Sequence, residues 1–83
     1  MREIFIGERY VENRRYGYYL LAEPGEHDRE DYGVKIDGGG DEAVLRGITV
    51  SQRDIQALGA LLMNGSVTPV ALRDVVEDWL AQN

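Results

Sequence analysis

The chain has 83 residues, no cysteine, one histidine and a formal net charge of −6. Its length allows a single domain, residues 1–83, because a domain of this size already buries only roughly 60% of the surface its unfolded chain exposes. The composition excludes a disulfide framework and a zinc site of the usual ligand set, no cofactor is expected, and a reducing cytoplasm is the expected compartment.

The charge is unevenly spread. Residues 1–22 carry four arginines against three acids, residues 23–50 three bases against eight acids, and residues 51–83 two bases against four acids. A negative field centred on the middle of the chain opposes approach to a phosphate backbone, so direct nucleic-acid binding is not expected. Residues 1–7 hold few apolar positions beside Arg2 and Glu3, unlike a signal peptide or a membrane span, and no membrane association is expected. A modest core without covalent staples makes a homo-oligomer a reasonable expectation.

Residues 2–11 mix Ile4, Phe5, Ile6, Tyr10 and Val11, which predicts a strand, with Gly7 as a bulge position. Polar residues 12–15 then form a turn. In residues 16–22, Tyr16, Tyr18 and Leu20 fall on one face and Tyr19 and Leu21 on the other, so this second strand is apolar on both sides. Such a strand is either central in its sheet or covered outside by another subunit. Residues 23–31 open with Pro24-Gly25 and offer nothing apolar to bury, which predicts a solvated loop. Tyr32, Val34 and Ile36 alternate with Gly33, Lys35 and Asp37 as a half-buried strand, Gly38 to Gly40 reverse the chain, and residues 43–50 resume an extended pattern.

Ser51 with Asp54 three residues on resembles a capping box, followed by Ile55, Leu58, Leu61 and Leu62 at helical spacing. Asn64-Gly65 supplies a left-handed helix stop. Thr68 then caps a second helix with Pro69 at its first position, and Leu72, Val75, Val76, Trp79 and Leu80 form its apolar stripe. Helices this short are not stable alone and must lie on the sheet. The expected fold is therefore α+β: a three- to four-stranded antiparallel meander over residues 1–50, then a two-helix hairpin over residues 51–83.

Arg14 and Arg15 lie near Arg9, Tyr10, Tyr16, Tyr18 and Tyr19. Guanidinium groups bind phosphate bidentately and tyrosine rings stack on bases, so this set is a candidate site for a nucleotide or another phosphorylated small molecule, held by an oligomer acting as a sponge. Against it stands the ordinary account of amphipathic sheet tyrosines beside a solvated turn. Glu26, Asp28, Glu30 and Asp31 form a candidate acidic surface for a protein partner. The same run with His27 lacks the alternating order of a calcium loop, so no metal site is expected. Trp79 reads as core, and no serine is placed with His27 for nucleophilic catalysis.

The runs Tyr32-Gly33-Val34-Lys35-Ile36 and Val67 to Asp78 resemble a family of small uncharacterised proteins from Bacillota and their mobile elements and phages. The resemblance implies a bacterial or phage origin and carries no reaction. The expected function is non-enzymatic: a small acidic adaptor or inhibitor of another protein, one form being a mobile-element inhibitor of a host nuclease or defence factor, with the nucleotide-like ligand as the alternative.

Overall fold

The computed structural model describes residues 1–82, so Asn83, the last residue of the expected hairpin, lies outside the described residues. Four strands, β1 (Arg2–Val11), β2 (Arg14–Pro24), β3 (Glu30–Gly38) and β4 (Asp41–Thr49), pair antiparallel in chain order. Helices α1 (Gln52–Asn64) and α2 (Leu72–Gln82) follow, and both pack on one face of the sheet. The expected meander and hairpin are thus observed, and β2 holds the central position that its apolar faces require.

Two tight reversals set the register. Glu12 and Asn13 have φ of 52° and 67°, and Gly39 and Gly40 have φ of 62° and 79°. Positive φ at both central residues is what a two-residue type I′ hairpin demands, because its twist matches that of the flanking strands. Between β2 and β3 the expected loop is shorter than the charge run suggested. Glu23 pairs with Asp31 and Pro24 with Glu30, so only residues 25–29 leave the ladder. Strand pairing satisfies backbone groups whatever the side chains are, and exposed carboxylates do not prevent it. The Gly25 amide donates to the Arg29 carbonyl at 2.7 Å across the base of the loop, and the Arg29 amide donates to Glu26 O at 3.1 Å to close the 3-10 turn over Glu26–Asp28.

Each side of the sheet carries a bulge. The β1 register shifts between Phe5 and Gly7, and β4 carries Arg46, Gly47 and Ile48 opposite the single residue Gly33. A β-carbon on Gly33 would overlap the Leu45 carbonyl oxygen, so this glycine makes the wide bulge sterically feasible.

The core lies between the helices and the inner face of the sheet. Tyr16, Tyr18, Leu20, Val34 and Ile36 meet Ile55, Leu58 and Leu62 of α1 and Leu72 and Val76 of α2, with Val75 and Trp79 packed at its margin. Leu80, expected in the same stripe, is 45% exposed, because the last turn of α2 passes the edge of the core. Gly59 lets α1 sit close: a β-carbon there would fall 2.7 Å from Leu20 Cδ2 and 2.8 Å from Ile6 Cδ1.

The helix ends depart from expectation in three details. Ser51 Oγ accepts the Asp54 amide at 3.1 Å as a capping residue should, but the Ser51 amide donates to Thr49 Oγ1, so the reciprocal bond comes from Thr49 and not from Asp54. Gly65 has φ −88°, and the left-handed residue is Ser66 at φ 48°. The Ser66 amide donates to Met63 O and the Val67 amide to Leu62 O, a Schellman closure whose left-handed position falls one residue beyond the glycine. Thr68 flanks a 3-10 turn, Pro69–Ala71, and makes no side-chain cap. With three residues per turn, Pro69 and Leu72 eclipse each other, and both are buried.

The linker is tied down by Tyr18, whose hydroxyl donates to the Val67 carbonyl at 2.8 Å. Burial pushes the Tyr18 phenol up from its ordinary value, which keeps it a donor.

Two stability predictions follow from this geometry. Ser66→Gly removes left-handed strain and is expected to raise unfolding free energy by about 1 kcal/mol. Gly33→Ala forces a side chain into backbone and is expected to cost about 3 kcal/mol, the upper end of overpacking penalties. Urea titration of both variants reads the two signs directly.

Candidate functional site

Because the helices cover one face, the other face of the sheet is where the chain presents side chains in a fixed array. The register sets Phe5, Tyr19, Lys35 and Val44 in one row across the four strands, with Glu8, Gly17, Asp37 and Glu42 in a second and Tyr10 opposite Arg15. The bulge at Gly7 is decisive here. Phe5 and Tyr10 differ in parity and would point to opposite faces in a regular strand, yet the extra residue places both outside. They are 52% and 66% exposed.

The Phe5 and Tyr19 rings meet at 5.4 Å between centroids with a tilt of 59°. The Arg15 guanidinium stands 5.9 Å from the Phe5 centroid, and Lys35 Nζ stands 5.0 Å from that of Tyr19. Both distances lie within cation–π range. Gly17 supplies the room, since a β-carbon there would meet the Tyr19 ring at 3.3 Å and Asp37 Oδ1 at 3.2 Å.

Ion pairs brace this face across the strands. Lys35 Nζ reaches Glu3 on β1 at 3.1 Å, Arg15 pairs with Glu8, and Arg46 on β4 spans β3 above Gly33 to reach Glu23 on β2. Leu21 lies between two of these spans and is only 1% exposed, although it faces away from the main core. The hydrogen bond that Lys35 donates to Glu3 raises its ammonium above its ordinary value, the bond that Arg15 donates to Glu8 raises its guanidinium, and Arg46, donating to Glu23, holds that carboxyl below the usual range.

A second feature lies on the helix side. A cleft of about 540 Å³ runs between β1 and α1, with Ile4, Ile6 and Leu20 on the sheet wall and Ile55, Ala60 and Met63 on the helix wall. Arg2 donates to both oxygens of Glu30, at 2.9 and 2.8 Å, at one end of the cleft, and Gln52 and Gln56 add the neutral polar groups of its rim.

The arginines and tyrosines expected to hold a phosphorylated ligand are divided by the sheet. Tyr16 and Tyr18 are buried beneath the helices, whereas Tyr19 and Arg15 stand on the outer face. Arg9 lies opposite Tyr16 on the inner side and donates to the Glu8 carbonyl at 2.8 Å, and Arg14 is exposed at the hairpin end. Of the acidic residues, Glu26 and Asp28 are exposed in the 3-10 turn, Glu30 is engaged by Arg2, and Asp31 is half-buried with its carboxylate against Gly25. His27 is exposed with φ 57°, and among the described residues no three His, Asp or Glu side chains gather as a metal would require.

Phe5 and Lys35 are outer-face residues that sequence reasoning did not single out, whereas Tyr10 belongs to the expected arginine–tyrosine set. The sequence signal for Phe5 is the two-residue period of β1 and for Lys35 that of β3, and Tyr10 joins Phe5 only once the shift at Gly7 is included.

This architecture defines a small α+β domain whose meander is capped on one side and presents an aromatic and charged array on the other. The chain belongs to a family of unknown function, DUF6514, whose model matches residues 2–82. No curated protein and no solved structure matches it. No helix among the described residues is long and apolar enough to cross a membrane.

The Arg46–Glu23 pair carries a pH prediction. Glu23 has a depressed folded value, so its contribution is present above the unfolded glutamate value of about 4.3 and is lost as pH falls through the lower folded value. Thermal unfolding of the wild type and Arg46→Met is expected to show a stability gap near neutral pH that closes in acid. A gap of constant size would assign the effect to packing of the arginine stem.

Proposed function

We propose that this protein is a small non-enzymatic binding protein, an adaptor or inhibitor that engages another polypeptide through the outer face of its sheet. The observation that carries this reading is the placement of Phe5 and Tyr10, both more than half exposed, beside Arg15 on the face of the sheet opposite α1 and α2. Exposed aromatic and arginine side chains on a rigid sheet are the residue types that dominate binding energy at protein interfaces. The cross-strand ion pairs hold Arg15 and Lys35 over the rings before any partner arrives, so little side-chain freedom remains to be lost on binding.

The net charge of −6, with Glu26 and Asp28 exposed at one end of the sheet, supports a basic partner and faster encounter at low salt. In a mobile-element or phage setting, one form would be a cytoplasmic inhibitor of a host nuclease or defence factor, whose nucleic-acid site is itself basic. A phosphorylated small ligand is less favoured by the geometry, since Arg15 and Tyr19 stand on the opposite side of the sheet from Tyr16 and Tyr18.

Capture from a host lysate on the immobilised full chain tests the proposal. The double variant Phe5→Ser, Tyr10→Ser is expected to lose a specific partner by at least about thirtyfold, the scale of a hot-spot pair. Its unfolding free energy should stay within about 1 kcal/mol of wild type, as for exposed positions. A partner retained equally by both proteins would exclude the outer face, and loss only on Glu26→Lys with Asp28→Lys would move the contact to the acidic turn.

A further inference from the structure

The cleft between β1 and α1 combines two properties that a closed core pocket would not. One wall is an edge strand: β1 pairs with β2 alone, so alternate amides and carbonyls along its other side point away from the sheet. The other wall is a helical stripe, Gln52, Gln56, Ala60 and Met63, that runs along most of α1. The eleven rises from Gln52 to Met63 correspond to about 16 Å, and the facing Arg2 to Ile6 segment to about 13 Å. The cleft is therefore a slot longer than it is wide, lined by apolar groups and bordered by free backbone hydrogen-bonding positions.

Its two ends differ. At one, Met63 lies against Gly7, where an added β-carbon would stand 2.7 Å from the sulfur, so the slot is closed. At the other, Arg2, Glu30 and Gln52 form an open polar mouth, next in sequence to the exposed Glu26 and Asp28. The Arg2–Glu30 pair is well exposed on both partners and so is worth at most about 1 kcal/mol, little enough to be exchanged.

We propose that this slot receives an extended segment of another polypeptide, added as a strand beside β1, with apolar side chains at alternate positions inserted under α1 and a lysine or arginine at the Glu30 end. Backbone pairing with β1 supplies affinity, and the slot supplies side-chain selection. A compact small molecule would use the apolar lining and leave the edge unpaired. A partner strand uses both, and the surplus of acids beside the mouth selects a basic end. The inference rests on the binding-protein reading only in taking the ligand to be a polypeptide.

The test selects a phage-displayed library of random heptapeptides on the whole protein, then measures the enriched peptides by fluorescence anisotropy. Peptides with alternating apolar residues and a terminal Lys or Arg are expected. Their affinity should fall at least about tenfold both on Ala60→Arg, which fills the slot from an exposed helix position, and on N-methylation of alternate peptide amides. Amide shift mapping on the unmutated protein, expected at residues 2–6 and 52–63, gives the answer even if Ala60→Arg fails to fold. No enrichment, binding indifferent to N-methylation, shifts confined to other residues, or a homodimer that Ala60→Arg dissociates would each overturn the proposal. Loss of lysate partners only on the Phe5 and Tyr10 substitutions, with no peptide selected, would leave the outer-face reading standing and remove this one.

Discussion

Two helices of 13 and 11 residues must both rest on the sheet to exist, and together they can cover only one of its faces. Nearly every other feature answers that constraint. The inner face of β2 is loaded with Tyr16, Tyr18 and Leu20, and α1 approaches it closely because Gly59 presents no side chain there. The linker between the helices is held by the Tyr18 hydroxyl on the Val67 carbonyl, a bond from the centre of the sheet to the one segment that must turn without slack. Losing that hydroxyl would leave a part-buried carbonyl unsatisfied, so the tyrosine fixes the helix pair as well as filling volume.

The uncovered face needs a different solution. It cannot be apolar throughout without inviting association, nor wholly solvated without leaving Leu21 and the Tyr19 ring in water. Ion pairs that bridge alternate strands provide it. Lys35 to Glu3 crosses β2 and Arg46 to Glu23 crosses β3, so long charged side chains lie along the sheet and shield apolar surface with their stems. Glycines leave room for this layer: Gly17 beside the Tyr19 ring and Asp37, and Gly33 against the Leu45–Arg46 backbone. Phe5 and Tyr10 are left outside the shield, at the β1 end of the face.

Much of the fold was legible because strand and helix periods differ and turn residues mark the joins. The alternation in residues 16–22, the three consecutive glycines and the Ser51 cap all act locally, and each was observed where the sequence placed it. What could not be read was nonlocal. Gly33 matters because of a bulge on a different strand, and no signal within residues 32–37 announces the Leu45 carbonyl. Ser66 takes the left-handed position beside an available glycine because Val67 must reach the core and meet Tyr18, a demand made by a residue 49 positions away. The candidate ligand cluster failed to assemble for a simpler reason: Arg14 to Tyr19 are adjacent in sequence, and adjacency in a strand sends neighbours to opposite faces. The cleft was invisible because its walls come from β1 and α1, which the sequence separates by the whole of the remaining sheet.

Both proposed contacts use the same strand. β1 offers Phe5 and Tyr10 outward, Ile4 and Ile6 toward the slot, and its free edge between them, so a peptide seated beside β1 would continue the sheet and widen the outer face by one strand. The bulge at Gly7 makes this division workable. It bends the edge and limits regular pairing to residues 2–6, which discourages indiscriminate edge-to-edge association while leaving a segment long enough for a short strand. It also turns Tyr10 to the side of Phe5. One unpaired residue thus separates a strand that would otherwise be either an aggregation edge or an ordinary sheet margin into two surfaces of different chemistry.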